Sequence, residues 1–159
     1  MVVTEVQESV NQTIIELVDE NITITSAGDG FGSLKIYDFP YGVIRILGAI
    51  TSLNIARVGT HIDADADAVA AVGTVPCDTS DSSLTGTKAD IVPSMAATLV
   101  AGVVDVTGIG YTAATFDGTA TAVDANLNVV VPDADIDATN DAVTVNGIVV
   151  ITWVNLGGL

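Results

Sequence analysis

Basic residues are scarce. Lys and Arg total 4 against 20 Asp and Glu in 159 residues, a formal charge of −16. So few cations cannot neutralise a run of phosphates or adsorb to an anionic bilayer, so nucleic acid and membrane surfaces are excluded as partners. There is one cysteine, Cys77, and one histidine, His61. An intrachain disulfide is therefore impossible, as is a zinc site built from several His or Cys ligands. A Ser-His-Asp triad would have to use His61, whose place beside an acidic stretch reads instead as a strand-end surface histidine. Cys77, in Val-Pro-Cys-Asp-Thr, reads as an inert small residue. Phosphate-binding loops are missing too: Gly28-Asp29-Gly30-Phe31-Gly32 lacks the spacing and the following helix of a dinucleotide fingerprint. Aromatics make up only 4%, few for the sugar platforms that accompany paired-carboxylate glycosidases. The longest apolar runs, Ile46–Ile50 and Ile148–Val154, fall short of the roughly 18–20 residues of a spanning helix. The N-terminus shows no basic region and apolar core of a signal peptide, so synthesis in the cytoplasm is expected. No catalytic residue and no cofactor are expected.

What is present is apolar: 49% of residues are hydrophobic. That content argues against disorder and for one domain over 1–159 with a real core. Little Lys and much apolar surface also suit burial between subunits.

The apolar pattern has period two almost throughout, the signature of strands. Gln12–Val18 reads as a strand, Asp19-Glu20-Asn21 as a turn and Ile22–Thr25 as the return. Residues 1–11 are polar enough for an extended arm. Ser26–Ser33, with three glycines, reads as a loop; Leu34 and Ile36 then alternate up to Pro40. In Gly42–Val58, Ile44, Ile46 and Ile50 share one parity, and Leu53 and Ile55 the other. That change of phase calls for a bulge or a corner. Arg45 and Arg57 in this segment are expected to find carboxylate partners. Ala68–Val75 reads as a strand and Pro76–Asp90 as a long loop. Asp90–Leu99 admits one short helix around Pro93, followed by a strand over Leu99–Val106 and a glycine-containing connection over Thr107–Asp117. In Asn126–Val131, Leu127, Val129 and Val131 share one face, and Asn126 and Asn128 the other. Val143, Val145, Gly147, Val149, Ile151 and Trp153 keep one parity, favouring one long strand through Asn146-Gly147 over a hairpin, with Trp153 pointing into the core. Many strands, frequent turn signals and at most one short helix predict an all-β fold: an antiparallel β-sandwich, jelly-roll-like.

Two acidic stretches stand out. Asp63, Asp65 and Asp67 alternate with Ala, and Asp133, Asp135, Asp137 and Asp141 do much the same near the C-terminus. Carboxylates on one loop can hold Ca²⁺, so Asp63, Asp65, Asp67, Asp133, Asp135 and Asp137 are weak calcium candidates. Neither stretch has the Gly and Glu positions of an EF-hand, and a solvated acidic loop is the simpler reading.

Several segments carry a resemblance: Lys35-Ile36-Tyr37-Asp38-Phe39-Pro40; Thr87-Lys88-Ala89-Asp90-Ile91-Val92-Pro93; Phe116-Asp117-Gly118-Thr119; the stretch from Asp124 to Asp135; and Val143–Trp153. Together they resemble a family of small, acidic, β-rich proteins encoded among the head genes of tailed bacteriophages. The likeness runs from about Leu34 to the C-terminus. It implies a virion structural role, as a decoration or cement protein on the capsid exterior. The implied partners are the major capsid protein and copies of itself, as a trimer at threefold positions. The family supplies no site residues. Alternatives are another virion component (a head-fibre base, tail tube or neck protein) or an extracellular calcium- or carbohydrate-binding β module.

Overall fold

The computed structural model describes residues 9–78, 82–100, 104–110 and 115–157. It is almost wholly antiparallel β-structure. The strands are β1 (Val10–Ala27), β2 (Asp29–Asp38), β3 (Gly42–Arg57), β4 (Asp65–Gly73), β5 (Val92–Val100), β6 (Val104–Gly110), β7 (Thr115–Gly118), β8 (Asp124–Val131) and β9 (Asp141–Asn155). Among the described residues the only helical pieces are two 3₁₀ turns, Gly86–Lys88 and Asp133–Asp135.

Four strands form sheet A, in the order β1-β9-β3-β6, and four form sheet B, in the order β2-β8-β4-β5. The short β7 pairs with the start of β3. Partners nest from the ends of the chain inward: β1 with β9, β2 with β8, β3 with β6 and β4 with β5. This is a long antiparallel ribbon rolled on itself, and β3–β9 and β4–β8 are the pairings that rolling creates. The result is a jelly-roll sandwich. The end of β1 turns the corner between the sheets, pairing with β2 through Thr25–Phe31, Ser26–Gly30 and Ala27–Asp29.

The alternating side chains of both sheets fill the space between them. Val143, Val145, Val149, Ile151 and Trp153 of β9 are all buried, so the parity read through Gly147 holds and β9 is one strand. Trp153 lies within an aromatic cluster in which the Phe39 ring centre is 5.0 Å from Tyr37, 5.6 Å from Phe116 and 5.5 Å from Trp153. The indole N–H donates to Thr13 Oγ1 at 3.0 Å, which satisfies the one polar atom that a core tryptophan brings with it.

Several local expectations are corrected. Asp19-Glu20-Asn21 is not a turn: β1 runs through it with a bulge, since Leu17 faces Gly147 but Glu20 faces Val145. Asp19, at φ 52°, takes up the extra residue. Its amide donates to Asn146 Oδ1 (2.8 Å) and its carboxylate accepts from Asn146 Nδ2 (3.2 Å). A local polar trio looks like a turn when the partner strand that holds it straight is over a hundred residues away. Ser26–Ser33 is not a loop, because β2 begins at Asp29. Gly30 and Gly32 are strand positions where a Cβ would strike Ile24 and the Thr23 carbonyl. The helix expected over Asp90–Leu99 is the edge strand β5. Pro93 sits where the register with β4 slips, at a sheet edge, where its missing N–H costs no ladder bond. β4 starts at Asp65, so Asp65 and Asp67 belong to a strand. Val10 and Asn11 of the expected arm belong to β1, and residues 1–8 lie outside the described residues.

The phase change in β3 is a bulge. Ile46 faces Trp153 and Gly48 faces Thr152, leaving Leu47 extra. Because the bulge comes at Leu47, Ile44, Ile46, Ala49, Leu53 and Ile55 are buried, while Ile50 turns outward instead of sharing a face with Ile44 and Ile46.

Candidate interaction surface

β8 is buried on both faces. Its inner residues join the main core, and its outer face is covered by the segment after β4. There Ala71, Cys77, Leu84 and Val130 form a small second core. Asn128 fastens this cover. Its Nδ2 donates to the carbonyls of Val75 (3.0 Å) and Lys88 (2.9 Å), and its Oδ1 accepts from the Cys77 amide (3.0 Å) and the Ser33 hydroxyl. Asp90 adds a second tie, accepting from the Thr74 amide and hydroxyl, each at 2.8 Å. Burial pushes its carboxyl above the usual carboxylate range, against the pull of those two bonds. Cys77 is buried within this cover, its Sγ 3.0 Å from the Gly32 carbonyl oxygen.

The two acidic stretches, some 70 residues apart in the chain, lie side by side. Ile62 and Ile136 bridge, both buried. Around them the Asp63 amide donates to the Asp135 carbonyl (2.9 Å) and the Asp67 amide to Asp135 Oδ2 (2.9 Å). The Asp137 amide donates to the His61 carbonyl (2.8 Å), and the Asp133 amide to Asp29 Oδ1 (2.7 Å). His61 Nδ1 lies 3.5 Å from Asp137 Oδ2. Asp141 Oδ2 accepts from the amides of His61 (2.8 Å) and Ile62 (3.0 Å). Partial burial raises the Asp141 carboxyl, but the amides of Ala142, Ile62, His61 and Gly59 outweigh it and hold it below the ordinary value. Asp141 thus caps loop amides, and Asp135 caps an amide at the start of β4. Among the described residues no three His, Cys, Asp or Glu side chains form a group that could hold a metal ion, so the calcium candidates Asp63, Asp65, Asp67, Asp133, Asp135 and Asp137 are neighbours without a ligand cage.

The cations are dispersed. Lys35 pairs with Asp38 and, at 3.4 Å, with Asp124, which lies opposite Asp38 across β2 and β8. Lys88 lies 3.6 Å from Asp78. Arg57 donates to the Ile62 carbonyl at 2.9 Å.

Among the described residues, the outward face of sheet A gathers most of the exposed large apolar side chains. On β1, Val10, Ile14 and Val18 are 63%, 66% and 61% exposed. The register aligns Ile14 beside Val150 beside Ile50 and Val10 beside Val154, while the one carboxylate of this stretch, Glu16, lies beside Ile148. Ile50 is 55% exposed, and Leu47 and Ile148 are also exposed. Across the outward positions of Val10–Val18 in β1, Gly147–Val154 in β9 and Arg45–Leu53 in β3 only Glu16 and Arg45 carry charge; Asp19 and Glu20 are exposed at the β1 bulge beyond them. A contiguous apolar face on an acidic chain marks a contact surface. Period-two counting could not find it, because alternation alone does not say which face is covered, and the bulge at Leu47 moves Ile50 onto it.

Among the described residues no helix is long and apolar enough to cross a membrane. No family model matches the chain, and no curated protein matches it. Among solved structures, the chain is similar to one described as "CBM4 structure and function", at 11% identity and a TM-score of 0.44, over 83% of this chain and 94% of that one.

Proposed function

We propose that this chain is a non-enzymatic structural subunit of a virion that decorates and stabilises the outer surface of a tailed-phage capsid. The observation that carries the reading is the segregation of its surface. Apolar β-branched side chains line the outward face of sheet A, while Asp63, Asp65, Asp67, Asp133, Asp135 and Asp137 gather around the Ile62–Ile136 bridge. A subunit that sits on a shell needs one face to bury and another to keep it soluble. The apolar face supplies the first by removing Ile14, Ile50, Val150 and Ile148 from water, and the carboxylates supply the second. Support also comes from the likeness of the strand-and-turn segments to phage head proteins. The jelly-roll architecture serves capsid and lectin domains alike and by itself selects neither.

The test is binding to capsids assembled without the chain, followed by cosedimentation and imaging. Wild-type protein is expected to saturate the shell in a fixed ratio to the major capsid protein. Ile50→Glu and Ile148→Glu, which place charge on an already exposed site, are expected to fold normally and to bind at least about tenfold more weakly. Equal binding by these variants, or no density on the shell, overturns the reading. Density at the tail tube, neck or fibre base in place of the shell would assign the chain to another part of the virion.

A further inference from the structure

Among the described residues β1 has a long free edge. It pairs with β9 from Val10 to Ile24, whereas on its other side only Thr25–Ala27 meet a neighbour among the described residues, namely β2. A strand edge presents a row of unpaired N–H and C=O groups that accepts another strand unless proline, charge or a bulge blunts it. From Val10 to Val18 there is no proline and no Lys or Arg, and the single charge is Glu16. The bulge at Val18–Asp19 ends the regular stretch, whose middle residue is Ile14.

That stretch is self-complementary about its own centre. Its exposed outward residues are Val10, Gln12, Ile14, Glu16 and Val18. Turned antiparallel about Ile14, the strand sets Ile14 against its own copy, Val10 against Val18 and Gln12 against Glu16. Each apolar side chain meets an apolar one, and the carboxylate meets an amide donor. Other registers do worse. Centring on Glu16 opposes two carboxylates, centring on Ile15 sets Ile14 against Glu16, and centring on Thr13 sets Val10 against Glu16. Of these registers, the one centred on Ile14 alone opposes neither two carboxylates, a clash in a chain of charge −16, nor a carboxylate and an apolar side chain.

We propose that two copies pair their β1 edges antiparallel about a two-fold axis through Ile14, joining sheet A of one to sheet A of the other. Such a contact is isologous and closes at two copies. It also extends the row Ile14, Val150, Ile50 into its two-fold mate, doubling the apolar face. Only that consequence rests on the capsid reading; the pairing itself rests on the edge and its sequence.

Disulfide trapping tests the register. Residues directly opposed in an antiparallel pair have Cα atoms about 4.5–5.5 Å apart, within disulfide reach. Single variants Ile14→Cys, Gln12→Cys and Glu16→Cys are oxidised mildly and followed on non-reducing gels; the native Cys77 is buried and stays in place. Ile14→Cys is expected to form dimers roughly tenfold faster than either other variant alone, and a mixture of Gln12→Cys with Glu16→Cys is expected to cross-link. Self-linking of Gln12→Cys as fast as Ile14→Cys, or no linking by any folded variant, overturns the pairing. Sedimentation provides a second readout. The wild type should show a dimer that Ile14→Lys weakens at least about tenfold, and a trimeric or unchanged mass in that variant overturns the pairing. Lost capsid binding by a correctly cross-linked dimer would count against the capsid reading alone.

Discussion

Asn128 uses all of its hydrogen-bonding capacity on a segment that the alternation of β8 leaves out of account. Period two places Asn126 and Asn128 opposite Leu127 and Val129, as they are, but the opposite face is covered too. Replacing Asn128 with Leu keeps the volume and strands the Val75 and Lys88 carbonyls, while the Cys77 amide keeps its bond to the Ser33 hydroxyl oxygen (2.9 Å). Each stranded group costs about 1–3 kcal/mol. Asn128→Leu should therefore lower the denaturation midpoint by the equivalent of roughly 2 kcal/mol or more, and Cys77 should react faster with a thiol reagent as its cover opens. Asp141 gives a pH-dependent counterpart. Its folded pKa lies below its ordinary value of 3.8 because backbone amides favour the carboxylate over the burial that opposes it. Its stabilisation is therefore complete above the unfolded value and fades as pH falls through the folded one. Asp141→Asn should lower Tm at pH 7, with the gap to wild type closing below about pH 4 in a series of thermal melts.

At the scale of elements, β9 is the strand on which sheet A depends, since it lies between β1 and β3 and pairs with both. Gly147 marks where its geometry is tightest. Its φ is 130°, a conformation L side chains rarely adopt, and a Cβ there would lie 2.2 Å from the Ser52 carbonyl oxygen. Gly147→Ala should destabilise by more than about 2 kcal/mol, measured as a shift in the urea midpoint with an unchanged slope. The dipeptide Asn146-Gly147 carries a strong hairpin signal, yet here it faces the bulge in β1, and Asn146 bonds Asp19 across the strands. Unbroken parity outweighed local turn chemistry, because burying five apolar residues on one face fixes register more firmly than one dipeptide. In β5 the local signal misled in the other direction: Pro93 suggests the first turn of a helix, but at a sheet edge proline is equally at home.

At the scale of the whole molecule, the first strand pairs with the last, so sheet A cannot close until both ends of the chain meet. Non-local pairings of this kind make folding slow. The single tryptophan, Trp153, is buried on β9 and reports that closure. Its fluorescence on refolding by stopped flow should change on a timescale of about milliseconds to seconds, and a microsecond phase carrying the whole signal would contradict the topology. The charge of −16 is likewise a property of placement. Two acidic runs that look independent along the chain are packed around one bridge, while the outward positions of β1 from Val10 to Val18 and of the stretches of β9 and β3 beside it hold only Glu16 and Arg45.

The sequence by itself determined the fold class, the inward parity of β9, the core place of Trp153 and an irregularity in β3, a bulge or a corner, which the structure shows to be a bulge. Each follows from the two-residue period of a strand with one face against a core, a constraint that acts between adjacent residues. The tertiary structure alone decided which faces are covered, that Asn128 lies beneath a loop, that the acidic runs are neighbours, and that the β1 edge is open from Val10 to Ile24 among the described residues. Those facts depend on which distant strands meet. Alternation records that a strand has two faces, and only the rolled ribbon assigns what lies against each.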